Sequence, residues 1–153
     1  MKSKPREAGI PPVSDRFGYL LKHARERLSA LSSEALEPLG VNGRQLAVMT
    51  VLVQGEPPSQ LEAAQRLAID RTTMVTLLDE LEAKGLVERR ADTADRRRNI
   101  VALTERGHLT LVQGVRATEQ AERVLLAPLS RADADRLRRM LQAIVGRDRG
   151  VPF

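Results

Sequence analysis

A chain of 153 residues has room for one domain with a hydrophobic core and not for a second, catalytic one. With 42% hydrophobic and 29% charged residues it has the composition of a folded domain, and a net charge of +5 with a pI near 10.4 favours a polyanionic partner. Aromatic residues make up only 2%, which argues against single-strand or RNA recognition by base stacking, and the absence of cysteine removes disulfides, thiolate metal sites and cysteine nucleophiles.

Residues 1–13 contain three prolines and no periodicity, and carry Lys2, Lys4 and Arg6; they are expected to form a flexible basic arm. Pro11 and Pro12 stand where a signal peptide would need an apolar stretch, and no apolar run reaches membrane-spanning length. The expected location is therefore cytoplasmic, on the nucleoid, with no membrane partner. All but four of the 25 basic residues are arginine, the lysines being Lys2, Lys4, Lys22 and Lys84.

The first helix is expected to start at Ser14 or Asp15 and to end before Pro38 and Gly40, with Phe17, Leu20, Leu21, Ala24, Leu28 and Leu31 at helical spacing. Asn42 and Gln45 form a capping box for a second helix, apolar nearly all round and so buried. After Gly55-Glu56-Pro57-Pro58, Ser59 and Glu62 cap a short third helix expected to bury Leu61, Ala64 and Leu67. Asp70 caps a fourth, whose Met74, Leu77, Leu78 and Leu81 form one apolar stripe and which Lys84-Gly85 closes. Residues 86–89 and 99–103 are predicted strands of a hairpin with a charged tip. Thr104 caps a long fifth helix running toward Pro128. Ser130 with Asp133 starts a sixth, carrying Leu137, Met140, Leu141, Ile144 and Val145.

Two short helices joined by a tight turn and followed by a basic hairpin are the order of a winged helix-turn-helix. On a helical wheel the face of the fourth helix opposite its apolar stripe carries Thr72, Thr76, Asp79 and Ala83, with Thr73 and Val75 on the flanks. Threonine hydroxyls suit base edges and phosphates, and Arg71 in the first turn suits phosphate. In the hairpin tip, Arg96, Arg97 and Arg98 have the chemistry for a narrow minor groove, and Asp95 is placed to hold a guanidinium.

The segment IDRTTMVTLLDELEAKGLVERRADTADRRRNIVALTERG, residues 69–107, resembles the MarR (multiple-antibiotic-resistance regulator) family. Asp95 and Arg97 match the family's D-x-R, and Leu103, Thr104 and Gly107 its L-T-x-x-G. The chain departs from many relatives in having Thr76 and Glu80 where they carry arginine. The resemblance implies a mainly α fold with a small β-hairpin: a winged helix-turn-helix lobe (42–103) within a six-helix dimeric architecture (14–153), with residues 14–40 and 104–146 as dimerisation helices. It further implies a cytoplasmic transcriptional repressor or activator that is a homodimer on a pseudo-palindromic operator in double-stranded DNA. Asp95 would position the wing, and Arg97 or Arg96 would enter the minor groove.

Similar regulators bind small phenolic or anionic effectors. Arg16, His23 and Arg27, at i, i+7 and i+11 beside an apolar stripe, are the candidate carboxylate ligands, the competing reading being surface salt bridges to Glu or Asp elsewhere. No cofactor and no metal are expected: Glu105-Arg106-Gly107-His108 has the E-x-x-H spacing of di-iron sites but lacks the second copy such a site needs. No nucleophile elbow, Walker loop or Rossmann fingerprint occurs, so no enzymatic activity is expected. A non-specific architectural DNA-binding protein and a winged-helix protein-interaction module are the competing readings; binding to specific and random duplexes separates them.

Overall fold

Asn42, Ser59, Asp70, Thr104 and Ser130 each accept a hydrogen bond from the backbone N–H three residues on, so five helices begin at the caps their sequences predict. The computed structural model describes residues 10–97 and 99–146. Its helices are α1 (Phe17–Leu36), α2 (Gly43–Leu52), α3 (Gln60–Leu67), α4 (Arg71–Ala83), α5 (Glu105–Leu126) and α6 (Arg131–Val145). Strands β1 (Val87–Ala91) and β2 (Asn99–Leu103) lie between α4 and α5, and short 3-10 turns occupy Val13–Asp15 and Glu37–Leu39. Most of the expected basic arm, residues 1–9, lies outside the described residues, as do Arg98 and residues 147–153.

Two details differ from expectation. Ser14 and Asp15 do not cap α1: they belong to the 3-10 turn, Ser14 Oγ donates to the Asp15 carboxylate at 3.2 Å, and the extended Arg16 precedes the helix without a side-chain cap bond. Leu61 is 58% exposed, and Ala63 joins Ala64 and Leu67 on the buried face of α3. Leu61 sits about 200° round the wheel from Ala63, so a helix of this length cannot turn both inward.

The core gathers around α2 and α4. Val48, Met49, Met74, Leu78 and Leu81 are fully buried, together with Leu36 from the end of α1. The hairpin pairs antiparallel from Val87 with Leu103 to Ala91 with Asn99. Val101 N–H also donates to the Pro58 carbonyl at 3.0 Å, which ties the entry to α3 to the back of the hairpin. α5 runs alongside α1, whereas α6 buries none of its residues.

The junction between α4 and α5 explains the L-T-x-x-G pattern. Thr104 caps α5 through Gly107 N–H at 3.0 Å, and its hydroxyl donates to the Gly85 carbonyl at 2.7 Å. Thr104 N–H in turn donates to the Leu86 carbonyl at 3.1 Å. This draws α5 so close that a Cβ on Gly107 would lie 2.0 Å from the Leu86 oxygen, whereas one on Gly114 would meet the Leu46 methyl Cδ1 at 2.5 Å. The first neighbour is backbone and cannot move without breaking the junction; the second is the end of a flexible side chain. Gly107→Ala is expected to cost about 3 kcal/mol in urea denaturation, the upper part of the overpacking range. Gly114→Ala should stay within about 1 kcal/mol of the parent, because the gain in helix propensity offsets a small repacking.

Candidate nucleic-acid interface

Thr72, Thr76 and Asp79 of α4 are exposed, as the wheel predicts, while Met74, Leu77, Leu78 and Leu81 anchor the helix from below. The three threonines are not equivalent. Thr73, half-buried, donates its hydroxyl to one Asp70 oxygen at 2.5 Å and its N–H to the other at 2.9 Å, so its donor is spent on the cap. Thr76 donates back to the Thr72 carbonyl at 3.1 Å, which leaves its methyl and its acceptor lone pairs outward. Those two Thr73 hydrogen bonds, the hydroxyl first, hold the Asp70 carboxyl below its ordinary pKa of 3.8. A lowered folded-state pKa means that the cap's contribution is present above 3.8 and fades only as pH falls through the lowered value; the start of α4 is insensitive to mild acid.

The far half of α4 is held by a polar network that no local sequence pattern announces. Gln45, only 2% exposed, donates from Nε2 to Glu80 at 2.7 Å and accepts at Oε1 from Asn42 N–H at 3.2 Å and from Lys84 Nζ at 3.0 Å. Lys84 Nζ also donates to the Gly40 carbonyl at 2.7 Å, in the connection between α1 and α2. Glu80 in α4 and Lys84, the residue that caps its C-terminal end, thus clasp one buried amide. The local sequence shows only a dipole-complementing lysine, because Gln45 and Gly40 lie about forty residues away in the chain.

At the hairpin tip Asp95 accepts the backbone N–H of Arg97 at 3.0 Å, and Asp92 accepts that of Ala94 at 2.9 Å. Asp95 therefore shapes the turn through the main chain. Among the described residues it makes no ion pair with the Arg97 guanidinium, the contact expected from sequence; an acid two residues ahead of an amide closes a local side-chain turn more readily than it reaches a long, solvated guanidinium. The guanidiniums of Arg71, Arg96 and Arg97 are on exposed residues and make no hydrogen bond or ion pair among the described residues. Arg44, on the first turn of α2, joins Ile69, Asp70, Thr73 and Leu77 around a 280 Å³ hollow beside the start of α4; the sequence alone does not single it out.

Arg16, His23 and Arg27 are all exposed on or just before α1. His23 stacks on Tyr19 with ring centroids 3.8 Å apart, and its Nδ1 donates to the Tyr19 carbonyl at 2.8 Å, leaving Nε2 outward. A larger, mainly apolar hollow of 670 Å³ lies between α1, α5 and α6, with Leu28, Leu126, Leu137 and Leu141 among its walls and Arg25, Glu122 and Arg138 at its charged positions, the last two paired at 3.2 Å. Neither hollow reaches Arg16, His23 or Arg27. Among the described residues no helix is long and apolar enough to cross a membrane, and no cluster of three candidate metal ligands occurs.

A family model described as "MarR family" matches residues 39–98, the span from the 3-10 turn after α1 to the wing. The transcriptional repressor CouR, solved on a 23-mer DNA duplex, is 30% identical and superposes with a TM-score of 0.78 over 94% of this chain and 100% of that one. The chain belongs to the MarR family. CouR from Rhodococcus jostii RHA1 bound to p-coumaroyl-CoA is 28% identical, with a TM-score of 0.74 over 90% of this chain and 97% of that one. The transcriptional repressor NicR of Pseudomonas putida is 27% identical over 137 residues, 89% of this chain and 86% of its own. The departure from many family members at Glu80 has a local reason, since its carboxylate accepts from the buried Gln45 amide. Glu80→Arg should remove that acceptor and set a second cation beside Lys84, lowering stability by about 1–2 kcal/mol in urea denaturation. Glu80→Gln, which keeps an acceptor, should lose less than half as much.

Proposed function

We propose that this protein is a sequence-specific, double-stranded DNA-binding transcriptional regulator that works as a homodimer, with α4 as its recognition helix and the β1–β2 hairpin as its wing. The observation that carries this reading is the pairing of an exposed hydroxyl face on α4 with the guanidiniums of Arg71, Arg96 and Arg97, which have no partner among the described residues, all on one lobe. Thr72 and Thr76 face the major groove, Thr73 chiefly maintains the cap, and Arg71 contacts phosphate. Arg96 and Arg97, with Arg98 beyond the described residues, engage the minor groove and its phosphates, on a turn shaped by Asp95.

The dimer rests on the terminal helices, residues 14–40 and 104–146. Leu137, Met140, Leu141, Ile144 and Val145 stand on α6 with Ile144 70% exposed, and Phe17, Leu20 and Leu21 are similarly uncovered on α1. Apolar surface of this extent is covered in a stable soluble protein, at roughly 25 cal/mol for each Å² removed from water. CouR has been solved bound to p-coumaroyl-CoA, and 6-hydroxynicotinic acid regulates DNA binding by BpsR of Bordetella bronchiseptica. An anionic or phenolic effector that releases DNA fits this chain too, with the guanidiniums of Arg16 and Arg27 and the imidazole of His23 as its polar contacts once a second protomer walls the flank of α1.

Sedimentation is expected to show a dimer, and a concentration-independent monomer mass would contradict the interface. Arg96→Ala or Arg97→Ala should weaken binding to specific and random duplexes alike and reduce the salt dependence by about one unit of slope for each phosphate no longer neutralised in each subunit. Thr72→Ala or Thr76→Ala should leave the salt slope near that of the parent and relax base preference by roughly 1 kcal/mol for each base edge no longer read. Equal binding of the parent to all duplexes would instead favour an architectural role.

A further inference from the structure

Among the described residues, the wing and the recognition helix are joined by one side chain to which the sequence reading gives no role of its own. Arg89, the third residue of β1, projects back over α4. Its Nη2 donates to Asp79 Oδ1 at 2.6 Å and its Nη1 donates to Glu82 Oε2. Asp79 and Glu82 are three apart in α4, hence neighbours on its surface, and the planar guanidinium spans both. Asp79 lies on the outward face that carries Thr72 and Thr76. Two carboxylates here oppose DNA binding by simple electrostatics, since each faces a polyanion. Arg89, only 31% exposed at its side chain, is the most enclosed member of the three.

We infer that Arg89 is a positioning residue: its fork to Asp79 and Glu82 fixes the wing against the recognition helix, so that Arg96 and Arg97 reach the minor groove at a set distance from the α4 residues in the major groove. The two strands offer no other side-chain bond to α4 among the described residues. The backbone joins them only through Lys84, Gly85 and Leu86, and Gly85 has the left-handed φ of 68°. Val87 and Val101 anchor the base of the hairpin in the core and Val101 N–H is held by the Pro58 carbonyl, so without the fork it is the outer part of the hairpin, from Arg89 to the tip, that swings relative to α4. Asp79 and Glu82 then serve DNA binding despite their charge, because they hold the cation that aims the wing.

This inference rests on the DNA-binding reading above, and two readouts keep them apart. The variants are Asp79→Asn with Glu82→Gln, and Arg89→Lys, compared with the parent as full chains. Hydrogen exchange of the β1 and β2 amides in the free protein reports on the wing alone; it should speed up several-fold in both variants, with unchanged protection in α2 and the core. Binding is measured to a duplex selected by the parent from a random-sequence pool. If the fork positions the wing, removing two carboxylates should weaken binding about ten-fold, the size of a coupling between neighbouring elements, with the salt slope retained. Arg89→Lys, which keeps the charge but reaches one carboxylate at a time, should weaken it by a smaller factor at the same slope. Tighter or equal binding by the carboxamide variant, or parental exchange in its hairpin, overturns the inference. Failure of the parent to select any duplex overturns the DNA-binding reading itself and leaves the exchange result to decide the fork.

Discussion

The short turn Lys84-Gly85-Leu86 is the point on which the molecule depends. Two of its carbonyls, on Gly85 and Leu86, receive the hydroxyl and the N–H of Thr104, and Gly107 packs with no side chain against the Leu86 oxygen. Lys84 reaches from the same turn to Gly40, where α1 gives way to α2. The end of the recognition helix is therefore tied to the start of α5 and to the end of α1, the two helices that run beside each other. Displacement of α1 relative to α5 cannot leave α4 untouched. That is the mechanical condition for a regulator whose ligand acts at the terminal helices and whose output is the placement of α4 on DNA.

A second consequence concerns where charge is left free. The acids of α4 and its cap are occupied: Asp70 by Thr73, Asp79 and Glu82 by Arg89, and Glu80 by Gln45. The cations at the proposed DNA face, Arg71, Arg96 and Arg97, have no partner among the described residues. A helix with a thin intrinsic charge can thus sit against phosphate, because its carboxylates are turned to internal work while guanidiniums remain for the ligand.

Much of this is legible in the chain because it is local. Asn42, Ser59, Asp70, Thr104 and Ser130 act as caps within one turn of the residues they bond, and the stripe of Met74, Leu77, Leu78 and Leu81 follows directly from helical period. What escapes is long in range or short in helix. Gln45 with Glu80 and Lys84, and Arg89 with Asp79 and Glu82, join residues across turns where no periodicity connects them. Leu61 departs from its expected burial because eight residues give too few turns for a pattern to decide which side faces inward. At the tip, Asp95 and Arg97 do meet, but through the main chain, a distinction the residue types alone do not make.

The central claim is that two copies of α4, each locked at its C-terminal end to the helices that form the dimer, meet DNA as one rigid unit of fixed span. Varying the distance between the halves of a selected operator tests this most directly. Half-sites about one helical turn apart place both recognition helices on one face of the duplex. Inserting or deleting two base pairs at the centre rotates one half by about 70° and should reduce affinity at least ten-fold, toward the level seen with random duplex. Affinity that survives such changes in spacing would contradict the account, since it would mean that the two lobes turn freely on their dimer helices.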